Sequence, residues 1–206
     1  MAACWAGMET VAEARRHFFR RSGFPSDGGY DDAWAEASFG SYQYAVPNTR
    51  ARAAALRVHD LHHLLTGYAT DWRGESEISA WELGSGGAGL YGYAWFIALF
   101  GLAIGLLTMP QAMWRAFVRG RTTRNLYGLL RQPGPSLDQV LALPLANLRE
   151  QLQVERPSAV TTTLLFALVV PVALLLGGLA LLLSPSLALL AWLRKPCDRS
   201  RCLLAT

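Results

Sequence analysis

A long stretch without charge near the C-terminus limits what this chain can fold into. No charged residue occurs from Pro157 to Leu193, and Leu164 to Leu183 is its most apolar part. A helix of about 20 apolar residues can cross a bilayer. The sequence therefore predicts two parts: a helical domain over residues 1–156, and a hydrophobic, membrane-associated segment with a basic tail over residues 157–206.

A second uncharged stretch, Gly84 to Trp114, has two interpretations. Leu90 to Met109 is long enough to cross a bilayer, but its glycines and alanines also suit a tightly packed buried helix. We favour burial, combined with a re-entrant hairpin at Pro185. This arrangement puts the helical domain and the basic tail on one side, which is the cytoplasmic side of the membrane or, in a mitochondrion, the matrix side of the inner membrane.

Composition narrows the choice of partners. The chain is 52% apolar and 17% charged, with a net charge of +4. It has no dense Lys/Arg run with interleaved aromatic residues, so we expect no nucleic-acid partner, and an anionic membrane surface accounts for the basic excess. The three cysteines, Cys4, Cys197 and Cys202, form no CxxC pair, which favours a reducing compartment. The N-terminus does not have the pattern of a secretory signal.

Local patterns predict an all-α fold. Asn48 or Thr49 can cap a helix that ends at Gly67, and Asp71 can cap the next one. Trp34 to Tyr44 is ambiguous between helix and irregular structure. The predicted helices cover residues 1–22, Arg50 to Thr66, the segment from Asp71 to Leu83, and Leu137 to Val154.

Three of the four histidines lie within five residues, and this cluster suggests a metal site. His59 and His63 are one helical turn apart and share a face, while Asp60 can reach the same point from the side. Glu75 can join them only if the helix breaks at Gly67, because a continuous helix would place it about 18 Å from His63. Such ligands suit Zn²⁺ and equally Fe(II). We predict one divalent metal, with zinc favoured, on His59, Asp60, His63 and Glu75.

An interpretation of the histidine cluster without a metal also stays open at this point. Clustered histidines can be solvated on a surface, and Asp60 can pair with Arg57. His62 is expected beside the metal ligands or on the surface. Glu77 is close enough in sequence to support a ligand, whereas Glu82 is expected on the helix surface.

The motif His59-Asp60-x-x-His63, followed by eleven residues and Glu75, resembles the signature of the coenzyme Q biosynthesis protein 4 family. Neighbouring segments agree with it over residues 20–156. They read PNT at residues 47–49, HDLHHLLTGY at 59–68, WRAFVRG at 114–120 and LPLANLREQLQV at 143–154. The apolar extension after Pro157 is not part of the family pattern.

The resemblance implies an all-helical fold with a tunnel for a polyprenyl tail and a bound metal, often taken as zinc. It also implies a role in ubiquinone synthesis, where the C1 carboxylate of a polyprenyl hydroxybenzoate is removed and replaced by a hydroxyl. His59, Asp60, His63 and Glu75 would be catalytic, and Arg50, Arg52 or Arg57 would contact the acid group. The expected partners are a quinone-like lipid, the membrane, other quinone-biosynthesis enzymes and a second copy of the chain in a homodimer.

Two other functions remain as alternatives. One is a non-catalytic, lipid-binding scaffold for quinone-biosynthesis enzymes, which a closed four-ligand metal site would favour. The other is metal-assisted chemistry on an isoprenoid phosphate, which the lack of a second carboxylate-rich motif makes the weaker choice.

Overall fold

The computed structural model describes residues 10–39, 42–131 and 133–180, together with residues 182, 183, 186 and 189. Within these residues the chain forms nine α-helices and one antiparallel two-stranded sheet, which confirms the helical fold class. In chain order the elements are α1 Val11–Ser22, β1 Trp34–Phe39, β2 Tyr42–Pro47, α2 Arg50–Thr66, α3 Trp72–Gly84, α4 Gly92–Thr108, α5 Pro110–Gly120, α6 Leu126–Leu129, α7 Leu137–Ala142, α8 Leu145–Gln151 and α9 Ala159–Val172.

The predicted start and stop signals of α2 and α3 are confirmed. The Thr49 side chain accepts a hydrogen bond from the backbone N–H of Arg52 at 3.2 Å, so it caps α2. Gly67 ends α2 in the left-handed conformation, with φ of 76°. The Asp71 carboxylate caps α3 by accepting from the Gly74 N–H at 2.8 Å.

Two of the predicted elements differ from the structure. The described residues between Trp34 and Tyr44 lie in β1 and β2, which pair antiparallel with a register from Trp34↔Pro47 to Phe39↔Tyr42. The helix predicted over Leu137 to Val154 is interrupted, since α7 ends at Ala142 and α8 begins at Leu145. Pro144 lies between them, and its ring and missing N–H prevent a continuous helix.

The buried apolar residues form two clusters, which we call the first core and the second core. The first core joins α1, α2, α6, α7 and α8 around large side chains, including Phe19, Leu61, Leu64, Tyr127 and Leu148. The second core joins α3, α4, α5 and the C-terminal helix, and includes Leu83, Leu102, Met113, Phe117 and Ala173.

Glycines let the backbones of α3 and α5 touch within the second core. A Cβ atom added to Gly84 would lie 2.3 Å from the carbonyl oxygen of Phe117. One added to Gly120 would lie 2.4 Å from the carbonyl oxygen of Trp81. Small residues allow the same close approach between helices in membranes.

The helix α4 covers most of the Leu90 to Met109 segment. Its small residues, such as Ala94, Ala98 and Gly101, are buried against the domain, while Phe96 and Leu107 are exposed. At 17 residues it is shorter than a usual membrane span.

The C-terminal helix extends from α9 through a π-helical turn at Ala173–Gly177. From Ala159 to Ala180 it has 22 residues, and among the described residues it is the one helix long and apolar enough to cross a membrane. Pro185 lies outside the described residues, as do the basic tail and all three cysteines.

Candidate metal centre

The turn at Gly67 brings α3 back against α2, so that the Glu75 carboxylate faces two imidazoles. Glu75 Oε2 lies 3.2 Å from His59 Nε2, and Glu75 Oε1 lies 3.3 Å from His63 Nε2. One ligand atom from each of these three residues lies within 4.8 Å of the other two. The sequence prediction that Glu75 joins the histidines is therefore confirmed.

The outer nitrogens of both imidazoles are fixed by acceptors. His63 Nδ1 lies 3.1 Å from the Tyr68 carbonyl oxygen, and His59 Nδ1 lies 2.9 Å from Glu82 Oε1. A carbonyl and an ionised carboxylate can only accept, so both Nδ1 atoms carry the proton. When no proton is present on Nε2, both imidazoles direct the lone pairs of these atoms toward Glu75.

This arrangement needs positive charge between the three side chains. Two lone pairs facing a carboxylate repel it unless both imidazoles are protonated or a cation lies between them. Two imidazolium rings with centroids 5.0 Å apart would repel each other in a buried site. A single divalent cation satisfies all three side chains at once.

His62 and Glu82 lie on the side of His59 that faces away from Glu75, and Glu82 contacts both histidines. His62 Nδ1 donates to Glu82 Oε1 at 2.6 Å, and His62 Nε2 accepts from the backbone N–H of Leu126 at 3.0 Å. Both ring nitrogens of His62 are thus occupied, and the residue is not a metal ligand. Glu82 is fully buried, so the expectation that it lies on the helix surface is wrong.

The charges of these residues depend on one another. Burial opposes ionisation of Glu82, but His59 and His62 outweigh it and lower the pKa of Glu82 to about 2. Burial likewise opposes charge on His59, yet mainly the Glu82 carboxylate raises the His59 pKa well above its usual value. Burial alone dominates at His62, whose pKa is lowered. The result is a neutral His62 beside an ionised Glu82.

Asp60 lies next to the three gathered residues but has a different partner. Its Oδ2 accepts a hydrogen bond from the Tyr30 hydroxyl, and burial raises its pKa. The Asn48 amide holds the Tyr30 loop by donating to the carbonyl oxygens of Gly29 and Tyr30, each at 3.0 Å. Asp60 is not in the group of three, so its role as a fourth ligand remains a prediction.

The other residues proposed from the sequence lie away from the centre. Arg50 is exposed, and Arg52 donates to Asn48 Oδ1 at 2.8 Å. Arg57 pairs with Asp31 at 2.8 Å and does not pair with Asp60. Glu77 pairs with Arg73 at 3.4 Å on the outer side of α3. These four side chains make no hydrogen bond to the three gathered residues.

The three side chains fit a divalent metal. Tetrahedral zinc with bonds of about 2.1 Å separates neighbouring ligand atoms by about 3.4 Å. Each imidazole faces a different Glu75 oxygen, at 3.2 and 3.3 Å, so a cation of this size can lie between the carboxylate and both rings. Glu82 Oε2 is buried without a hydrogen-bond partner among the described residues, so the site holds more negative charge than its hydrogen bonds balance. Two histidines and one carboxylate suit Fe(II) equally, so the donor set does not identify the metal.

A cavity of about 180 Å³ opens beside the centre. It is lined by His63, Phe18, Arg21, Tyr68 and neighbouring backbone, and the Phe18 ring stacks on His63 with centroids 5.8 Å apart. Glu75 has a side-chain exposure of 38%, so the ligand side is accessible. A cavity of about 150 Å³ can hold benzene, so this one suits an aromatic head group. The lipid tunnel is not confirmed.

Comparison of the chain with protein-family models, with curated proteins and with solved structures gave no match. The resemblance to the coenzyme Q biosynthesis protein 4 family therefore remains a prediction based on the motif at residues 59–75.

Proposed function

We propose that this protein is a metal-dependent enzyme of prenylated quinone biosynthesis, acting at C1 of a polyprenyl hydroxybenzoate. The supporting observation is the convergence of His59, His63 and Glu75 around one point, with the two outer ring nitrogens held by acceptors. Three protein ligands leave a coordination position free, as in catalytic zinc sites. Binding of Asp60 as a fourth ligand would close the site and favour the scaffold.

In this proposal the residues of the cavity bind and orient the head group. The aromatic ring lies beside Phe18 and Tyr68, and the Arg21 guanidinium attracts the ring carboxylate. Arg21 thus replaces Arg50, Arg52 and Arg57, which lie elsewhere. When bound, the metal acts as a Lewis acid that stabilises negative charge on the substrate as carbon dioxide leaves.

Protein residues around the metal hold the protons in place. Glu82 keeps the proton on Nδ1 of His59, and the Tyr68 carbonyl keeps the proton on Nδ1 of His63. Both Nε2 atoms therefore remain available as ligands. The Tyr30–Asp60 hydrogen bond gives the site a protonated hydroxyl beside a carboxyl, because burial raises both pKa values.

The proposal places the protein at the membrane that carries its lipid substrate. The helix from Ala159 to Ala180 is the anchor, and the exposed apolar side chains of α4 lie on the same half of the molecule. The helical domain would face the cytoplasm, or the matrix in a mitochondrion. The prenyl tail would then extend from the cavity toward the bilayer.

Incubating the metal-loaded full chain in detergent with a carboxyl-labelled prenyl hydroxybenzoate tests the enzyme proposal. We expect release of labelled carbon dioxide in air with zinc or iron, and its loss in Glu75→Ala. Glu77→Gln changes a carboxylate on the outer side of the same helix and should keep the activity. Binding of the labelled compound without any release, for every metal tried, would instead support the scaffold.

A further inference from the structure

A second cavity, of about 430 Å³, lies at the C-terminal end of α2. Its wall comes from the end of α2, the segment after α5 and the end of α8. Three arginines line it, Arg119, Arg124 and Arg149, and none of its lining residues is acidic. None of the three metal-site residues lines it either, so a ligand bound here would be independent of the proposed enzymatic function.

Two of the arginines are held by the last turn of α2. Arg149 Nη2 donates to the Leu64 carbonyl oxygen at 2.6 Å, and Arg119 Nη2 donates to the Thr66 carbonyl oxygen at 2.7 Å. Carbonyl groups at a helix C-terminus lack partners within the helix and attract cations. Each guanidinium has five N–H donors, so these contacts fix the two side chains while leaving donors for a ligand.

The positive charge of this cavity is not balanced by a carboxylate. Burial, together with the charge on Arg119, lowers the pKa of Arg149, which indicates two guanidinium groups close together. Arg149 Nε is buried without a hydrogen-bond partner among the described residues. Arg119 and Arg124 are exposed, so an anion from solution can enter the cavity and offset the charges held there.

Arg124 is the third arginine of the cavity, and a short backbone pairing with the chain after α8 holds it in place. Its N–H donates to the Leu152 carbonyl oxygen at 2.7 Å, and the Val154 N–H donates to the Thr122 carbonyl oxygen at 3.0 Å. The Arg124 side chain is exposed and makes no hydrogen bond or ion pair with the described residues. Its backbone is therefore fixed while its guanidinium remains available.

We propose that this cavity binds a phosphate-type anion between Arg119, Arg124 and Arg149. Planar guanidinium groups form paired, charge-assisted hydrogen bonds with phosphate oxygens. The volume exceeds that of phosphate alone, so a phosphate ester fits.

Two sources can supply this chemistry, namely a soluble phosphate compound or a lipid head group. Gln153 lines the cavity and precedes Ala159, the first residue of the apolar helix, by six positions. Six residues span at most about 20 Å. A lipid phosphate at the bilayer surface can therefore reach the cavity if this helix crosses the membrane.

The test uses the full chain and two probes. Calorimetry in an uncharged detergent measures binding of inorganic phosphate. Calorimetry in the same detergent with a water-soluble, short-chain phosphatidic acid, beside the corresponding phosphatidylcholine, measures recognition of the lipid phosphate. We expect Arg124→Gln to weaken the binding of at least one probe about tenfold or more. Arg115→Gln, an exposed arginine on α5 outside the cavity, should bind both probes like the wild type.

Arg149→Lys is the second variant, because it keeps the charge but loses the paired donors. It should also weaken binding. Weaker binding of inorganic phosphate assigns a soluble ligand, whereas weaker binding of the short-chain phosphatidic acid alone assigns a lipid head group. If neither probe binds the wild type, or if the wild type, Arg124→Gln and Arg149→Lys bind both probes equally, the proposal is wrong.

Discussion

The first and second cores of this molecule are built by different means. The first packs large side chains such as Phe19, Leu64 and Tyr127, as water-soluble domains do. The second brings helix backbones together at small residues such as Gly84 and Gly120, as membrane proteins do. Exposed apolar side chains are numerous on α4 and the C-terminal helix of the second core. The half of the molecule that contains the second core is therefore the half suited to contact with lipid.

The candidate metal centre lies where the two cores meet. His59 and His63 belong to α2 of the first core, and Glu75 and Glu82 belong to α3 of the second. Direct contact between α2 and α3 is otherwise small. Ion pairs and hydrogen bonds therefore join two parts that pack by different rules, and a bound metal would strengthen this connection.

The largest expected effect is stabilisation of the whole fold by metal. A ligand at 1,000 times its dissociation constant stabilises a folded protein by about 4 kcal/mol, because it binds the two cores only when they are assembled. Chemical unfolding in detergent, with zinc and then with a chelator, measures the difference. His63→Ala should lose the zinc effect, and Asp138→Asn, an exposed carboxylate on α7, should keep it. Equal stability of the wild type with and without zinc would mean that other contacts join the cores.

The next effect concerns the close crossing of α3 and α5. Gly84→Ala places a Cβ against the Phe117 carbonyl oxygen, and such overpacking should lower the free energy of unfolding by about 3 kcal/mol. Gly92→Ala is the control, since nothing lies within 4 Å of its added Cβ. It should raise stability by up to about 1 kcal/mol through helix propensity. Similar stabilities for both variants would show that the second core adjusts easily.

A smaller effect on zinc affinity is expected from Glu82, which contacts the ring nitrogen of His59 that faces away from Glu75. Glu82→Gln removes the charge that holds the Nδ1 proton of His59, so zinc affinity should fall about 10- to 100-fold. Competition with a metal-binding dye measures it. Glu77→Gln, on the outer side of the same helix, should bind zinc like the wild type. An unchanged affinity in Glu82→Gln would remove Glu82 from the metal centre.

The smallest effect is the pH dependence of metal binding. Despite its burial, His59 has a raised pKa, mainly because of Glu82, so His59 is protonated below that raised value and zinc must displace the proton. Zinc affinity should therefore rise as pH increases through neutrality, with about one proton released per zinc at pH 7. Calorimetry in buffers of different ionisation enthalpy measures the release. Glu82→Gln should release fewer protons per zinc. If it releases as many as the wild type, the proton comes from a group other than His59.

Much of the metal centre could be predicted because it depends on local signals. Thr49, Gly67 and Asp71 define the ends of α2 and α3, and these ends bring Glu75 to His59 and His63. Glu82 was missed, although it lies two helical turns after Glu75 and so shares its face. That spacing was the available signal.

Other features depend on partners that sequence spacing does not reveal. The hydroxyl bound to Asp60 comes from Tyr30, in a loop thirty residues earlier. The arginine-lined cavity combines α2, α5 and α8, whose contacts are all distant in sequence. The antiparallel pair of β1 and β2 was missed because its short segment was equally compatible with helix or irregular structure.

The π-helical turn in the C-terminal helix is where this helix packs against α4. In a regular α-helix every fourth residue overshoots a full rotation by about 40°, so a row of such residues soon turns away from a straight neighbour. The wider turn at Ala173–Gly177 takes up this drift, and Ala173 and Gly177 both remain buried. Two small residues of the turn therefore face α4, where Gly177 lies against Leu99 and Ala103. Deleting one residue from the turn would rotate the residues after it by about 100° around the helix axis.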